Sequence, residues 1–173
     1  HNCEGIKYYT GTAIYQKTFK VDKKILTSNN KFTLDLGKVY EIARVILNGK
    51  DLGVLWKAPH TIDITSVLKA GKNNLKIEVT NQWTNRLIGD ENFPNVSGYN
   101  LQPHLKTPLL IKDPQLSLIN RNKMVDWYTN NEPAPLGQRS TFTTYPFYKK
   151  GDKLLPAGLV GPVVLKVSRI IEK

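Results

Sequence analysis

Two stretches of strict alternation limit what this chain can fold into. Phe32-Thr33-Leu34-Asp35-Leu36 and Leu75-Lys76-Ile77-Glu78-Val79-Thr80 place an apolar side chain at every second position. Successive side chains of a strand point to opposite faces, so each stretch reads as a strand with one face on a core. Residues 13–21 are rich in aromatic and β-branched types and read as a strand closed by the turn at Asp22-Lys23-Lys24. Residues 42–47 are apolar on both faces apart from Arg44, which predicts a central strand. Asn48-Gly49 tolerates positive φ and predicts a hairpin returning through residues 51–56, with Gly53 as a bulge or a close backbone approach. Residues 60–65 predict another short strand, and Asp63 and Thr65 carry short oxygens suited to free backbone donors. No amphipathic helix of ordinary length interrupts this half.

Composition shifts after Gly89. Residues 90–139 hold six of the chain's ten prolines and only short apolar pieces, including Leu109-Leu110-Ile111 and Leu116-Ser117-Leu118-Ile119. An irregular excursion of this length is commonly a functional segment or an interface, and here it predicts the surface that meets a partner domain. Met124, Trp127 and Tyr128 are spaced to cover one face of a short helix. Strands are expected to resume at 140–148 and 163–170, the latter with Val163, Leu165 and Val167 inward. The pattern predicts an all-β chain, an antiparallel two-sheet β-sandwich or jelly roll with a long irregular insertion, residues 1–173 forming a single domain.

Several classes fall away. At 173 residues the chain is too short for a (β/α)8 barrel, which takes about 200 or more. No apolar run approaches the roughly 18 residues of a membrane span. Cys3 alone makes neither an intrachain disulfide nor a cysteine zinc site. The start at His1-Asn2-Cys3-Glu4 has no signal-peptide character and reads as a cut inside a longer protein. The net charge of +11 comes from 25 basic against 14 acidic residues, but 20 of the cations are lysines scattered along the chain. Nucleic-acid readers cluster their cations and lean on arginine's bidentate fork, so no nucleic-acid partner is expected; an acidic polysaccharide suits such a surface better.

Val45, Asn48, Gly49, Leu52 and Gly53, followed by Asp63, Ile64, Thr65, Leu68, Gly71, Asn73 or Asn74, Leu75, Ile77 and Val79, form an ordered string over about 70 residues. It resembles the sugar-binding, galactose-binding-like jelly-roll domain of family 2 glycoside hydrolases. Residues 81–91, Asp126-Trp127 and residues 141–165 are similar to the C-terminal domain of family 106 α-L-rhamnosidases, with Ala157 where that family more often has serine. The resemblance implies a C-terminal fragment of a larger glycoside hydrolase in an extracytoplasmic setting, periplasmic or secreted. It implies catalytic residues on a separate barrel, which becomes this domain's partner. The function so implied is a noncatalytic accessory domain; the alternative is an autonomous carbohydrate-binding module.

Candidate site residues follow from the chemistry of glycans. Glycoside hydrolysis needs two carboxylates flanking the bond, about 5–9.5 Å apart depending on stereochemistry. Asp90 and Glu91 are adjacent and point apart on an extended chain, Asp113 and Asp152 stand alone, and Asp126 and Glu132 lie in the excursion, so no catalytic residue is assigned. No metal ligand or cofactor is assigned either; a structural calcium suits a jelly roll, although no EF-hand-like spacing is present. Binding a sugar takes an exposed ring and adjacent polar groups, and Trp83, Asn85, Arg86, Asp90 and Tyr99 are the candidates for carbohydrate. Arg86 and Asp90, four apart, serve equally well as a structural ion pair pinning the loop. Trp56 and Trp127 are expected to be core or interface rings.

Overall fold

In the computed structural model, residues 4–94, 125–135, 137–141 and 147–169 are described. Where the sequence led to one domain with an excursion, the chain divides into two compact units. One comprises Thr10–Trp83 and Leu155–Lys173, the other His1–Tyr9 and Thr84–Leu154.

The first unit holds all the strands found among the described residues: β1 (Thr12–Val21), β2 (Asn30–Asp35), β3 (Lys38–Tyr40), β4 (Ile42–Leu47), β5 (Lys50–Leu55), β6 (Thr61–Asp63), β7 (Gly71–Thr80), β8 (Gly158–Gly161) and β9 (Val164–Arg169). They form a four-stranded sheet in the order β1-β7-β4-β5, a three-stranded sheet β6-β2-β9 and a two-stranded ribbon β3-β8, every pairing antiparallel. The alternation read from the sequence becomes the core: Phe32, Leu34 and Leu36 are buried from one sheet, and Val45, Leu47, Leu75, Ile77 and Val79 from the other. β4 lies inside its sheet as its composition predicts.

Local chemistry fixes the turns. Asn48 and Gly49 both adopt positive φ, 54° and 82°, the conformation of a two-residue hairpin turn between β4 and β5. The register then slips between Val45 and Ile46, with Val45 opposite Gly53 and Ile46 opposite Asp51, so a bulge occupies the position expected of Gly53. The buried Asn73 stitches three segments. Its amide donates to the carbonyls of Lys69 (2.7 Å) and Gly71 (3.1 Å), and its oxygen accepts from Asn48 Nδ2 (2.8 Å) and the Lys69 amide (3.0 Å). Asn48 completes the tie by donating to Val67 O and accepting from Asn74 N. Asp63 accepts from Thr65 N at 2.8 Å, and Thr65 Oγ1 accepts from Phe32 N at 2.9 Å, which is how the short oxygens at that strand end are used.

Two strand expectations need correction. Of residues 140–148, the described ones (140, 141, 147 and 148) carry no strand. The amides of Ser140 and Thr141 donate to a carboxylate instead of a neighbouring strand. At the chain's last strand, Leu165 is partly buried but Val163 and Val167 are 39% and 49% exposed. β9 is an edge strand, and beside it the core opens into an apolar cavity of about 460 Å³ lined by Tyr15, Phe19, Leu34, Ile77, Leu159 and Leu165. Val163 lines that opening rather than a closed core.

Among the described residues, the second unit contains three short helices: α1 (Glu4–Lys7), α2 (Thr84–Asp90) and α3 (Asp126–Thr129). The last is a short helix where the spacing predicts one, and it carries Trp127 and Tyr128 packed edge to face at 6.0 Å. Met124 and the leucine-rich pieces of the excursion lie outside the described residues.

Candidate functional site

The Arg86–Asp90 pair is built from one turn of α2, where residues four apart share a face. Asp90 has no exposed surface. One carboxylate oxygen accepts from Arg86 Nη2. The other accepts from Ser140 N (3.0 Å), Ser140 Oγ (3.3 Å), Thr141 N (2.7 Å) and Thr141 Oγ1 (2.6 Å). The adjoining Glu91 holds the buried Arg139 (3.0 Å), which also donates to Phe93 O (3.3 Å). Both arginines leave Nε buried without a partner among the described residues. On the other side of α2, Gly89 lies under the Tyr8 ring so closely that a Cβ would fall 2.5 Å from it. This arrangement ties residues 84–93 to residues 139–141. Asp90 has no exposed surface to offer a sugar hydroxyl.

The five carbohydrate candidates thus separate. Trp83 is 61% exposed just beyond β7, in the strand-bearing unit. Asn85 and Asp90 are buried and Arg86 is half-buried, all within the helical unit. Tyr99 lies outside the described residues. Trp56, expected to be a core or interface ring, is 68% exposed one residue beyond β5 and is therefore not a core ring. Alternation assigns a side chain to a face, but it does not reveal whether another layer covers that face.

Four carboxylates of the sandwich are engaged as acceptors. The hydrogen bond from Lys166 (2.5 Å) holds Asp35 below its ordinary pKa, helped by the Gly37 amide. Arg44 does the same for Asp51 (2.7 Å), helped by the Gly53 amide. The Thr65 amide lowers Asp63, and Lys76 (2.7 Å) lowers Glu78. A glycosidase's general acid needs its pKa raised, so these four shifts run the wrong way for that role. Asp51 and Glu78 share one arginine, Arg44, at 2.7 and 3.6 Å. Among the described residues, no group of three or more His, Cys, Asp or Glu gathers to hold a metal ion. No described helix is long and apolar enough to cross a membrane.

The profile of the glycosyl hydrolase 2 galactose-binding domain-like family matches residues 3–132. The chain belongs to that family. A protein of Formosa agariphila named "Putative beta-glucuronidase" is 48% identical over 170 residues, which is 98% of this chain and 13% of the relative. The solved rhamnosidase of Novosphingobium sp. PP1Y is 31% identical, covering 97% of this chain and 12% of that one with a TM-score of 0.65. The chain therefore spans only about an eighth of the proteins it matches. It is a galactose-binding-like domain of this family, and the relatives it matches extend far beyond it.

Proposed function

We propose that this domain supports the catalytic domain of a polypeptide that hydrolyses a glycan carrying glucuronate or rhamnose. The observation that carries the reading is one of extent: nearly the whole chain aligns at 48% identity with 13% of its relative, leaving the bulk of a glycoside hydrolase outside it. The partner is then the catalytic domain of the same polypeptide. The domain's own contribution is a rigid sandwich and a cross-tied helical unit, whose carboxylates are committed to holding the fold.

The test compares the polypeptide containing this domain with a version lacking it. The intact protein should release the aglycone from an aryl β-D-glucuronide or an aryl α-L-rhamnoside. Deleting the domain should lower the protein's melting temperature by several degrees and reduce turnover. Unchanged melting and turnover after deletion would refute a supporting role. Hydrolysis of neither glycoside by the intact protein would refute the substrate class.

A further inference from the structure

The outward face of the four-stranded sheet has no assigned role, and its residues are sorted along the strands. The register places Lys20 opposite Lys72, Thr18 opposite Asn74, and Gln16 beside Lys76 and Ile46. Next come Ile14, Glu78, Arg44 and Val54 in one row, then Thr12, Thr80 and Ile42, with Trp56 beyond the end of β5. At about 3.3 Å per residue, the eight steps from Lys20 to Thr12 span about 26 Å, and four strands at about 4.8 Å spacing give about 14 Å of width.

The two ends differ in chemistry. Lys20 and Lys72 face each other directly, and Lys23, Lys24 and Lys69 follow in the turns at the same strand ends, all exposed. Like charges opposed across strands destabilise a sheet, and no ion pair among the described residues takes up any of these five. Asp22, the acid among them, accepts from the Lys24 amide. At the far end Ile14, Ile42, Val54 and Trp56 are 59%, 43%, 53% and 68% exposed. Between the ends, Gln16, Thr18, Asn74 and Lys76 line a shallow hollow of about 350 Å³ with amide, hydroxyl and ammonium groups.

We propose that this face binds a linear acidic polysaccharide, its anionic groups on the Lys20–Lys72 end and a sugar ring against Trp56. A neutral glycan would use only the ring and the hollow, leaving the opposed lysines unrelieved. A nucleic acid is the weaker fit. The one arginine on the face, Arg44, is spent on Asp51 and Glu78, so no free guanidinium fork remains for phosphate. The inference goes beyond the accessory role, because it concerns binding by this chain whatever the larger protein cleaves.

The experiment titrates the purified 173-residue chain with polygalacturonate, dextran sulfate, dextran and single-stranded DNA at low and high salt. At least one acidic polysaccharide should bind at least tenfold more tightly than dextran, and which one does so tells carboxylate from sulfate. Reversing both opposed lysines (Lys20→Glu with Lys72→Glu) should weaken that binding at least tenfold at low salt and flatten its salt dependence. Trp56→Ala should weaken it about tenfold at either salt. All three side chains are exposed, so circular dichroism should be unchanged; Lys20→Gln with Lys72→Gln replaces the reversal if it misfolds. The proposal is overturned if neither acidic polymer outbinds dextran, if the folded variants bind like the parent chain, or if DNA binds as tightly as the preferred polysaccharide.

Discussion

Replacing Asp90 by alanine should be among the most damaging single changes in the described structure. Its carboxylate has no exposed surface and collects five donors. Removing it leaves the Arg86 guanidinium without its partner and strands the amide and hydroxyl of Thr141, a residue only 4% exposed. Breaking one side of a buried ion pair costs about 3–5 kcal/mol, and each buried donor left unsatisfied costs about 1–3 kcal/mol. The Arg86 side chain is 23% exposed and can recover some hydration, so the losses do not simply add. A total of about 4 kcal/mol results, on a scale where a whole domain has about 5–15 kcal/mol. Arg86→Ala should cost less, about 1–3 kcal/mol, because Asp90 keeps its four donors from residues 140 and 141. Urea unfolding followed by circular dichroism gives the magnitudes, and amide exchange at Ser140 and Thr141 locates the damage. A loss below about 1 kcal/mol for Asp90→Ala, or a larger loss for Arg86→Ala, would refute the reasoning.

Three other outcomes follow from the same physics. Asn73→Ala removes four hydrogen bonds from a position with no exposure and should cost about 3 kcal/mol in urea unfolding, whereas its exposed neighbour Asn74→Ala should cost about 1 kcal/mol. Gly37 has φ +64° and a Cβ there would sit 2.5 Å from the Gly161 backbone, so Gly37→Ala should destabilise by about 3 kcal/mol or more; Gly49 has open space, and its alanine variant should cost only about 1 kcal/mol, as thermal melts would show. Asp35, Asp51, Asp63 and Glu78 all have lowered pKa values in the folded chain, so the unfolded chain binds protons first. Their stabilisation is complete above the ordinary carboxylate values of 3.8 and 4.5 and is lost as pH falls through the lower folded values, so the melting temperature should hold from pH 7 to about 5 and drop below about 4. A melting temperature that stayed level down to pH 3 would contradict those shifts.

The parts of the fold that were legible in the sequence are those governed by neighbours in the chain. Phe32, Leu34 and Leu36 declare their face by alternation, and Asn48-Gly49 declares its hairpin by conformational preference. The Arg86–Asp90 pair was legible as a spacing, but its burial was not, because the donors that enclose Asp90 come from residues 140 and 141. The same long-range tie explains why residues 140 and 141 do not begin the strand expected there, since their amides donate to a side chain. Trp56 escaped the reading because the sequence shows which face of the sheet it occupies but not whether that face is covered. Asp51 and Glu78 show as acids in the sequence; only the fold gives them Arg44 to share.

The claim that this chain is a noncatalytic domain is tested most directly by assaying the purified chain alone for release of nitrophenol from 4-nitrophenyl β-D-glucuronide and 4-nitrophenyl α-L-rhamnoside. The account predicts no turnover above the uncatalysed rate at any pH between 4 and 8. Turnover that persists through purification and is lost on replacing Glu78, Asp51 or Glu91 by the corresponding amide would contradict it.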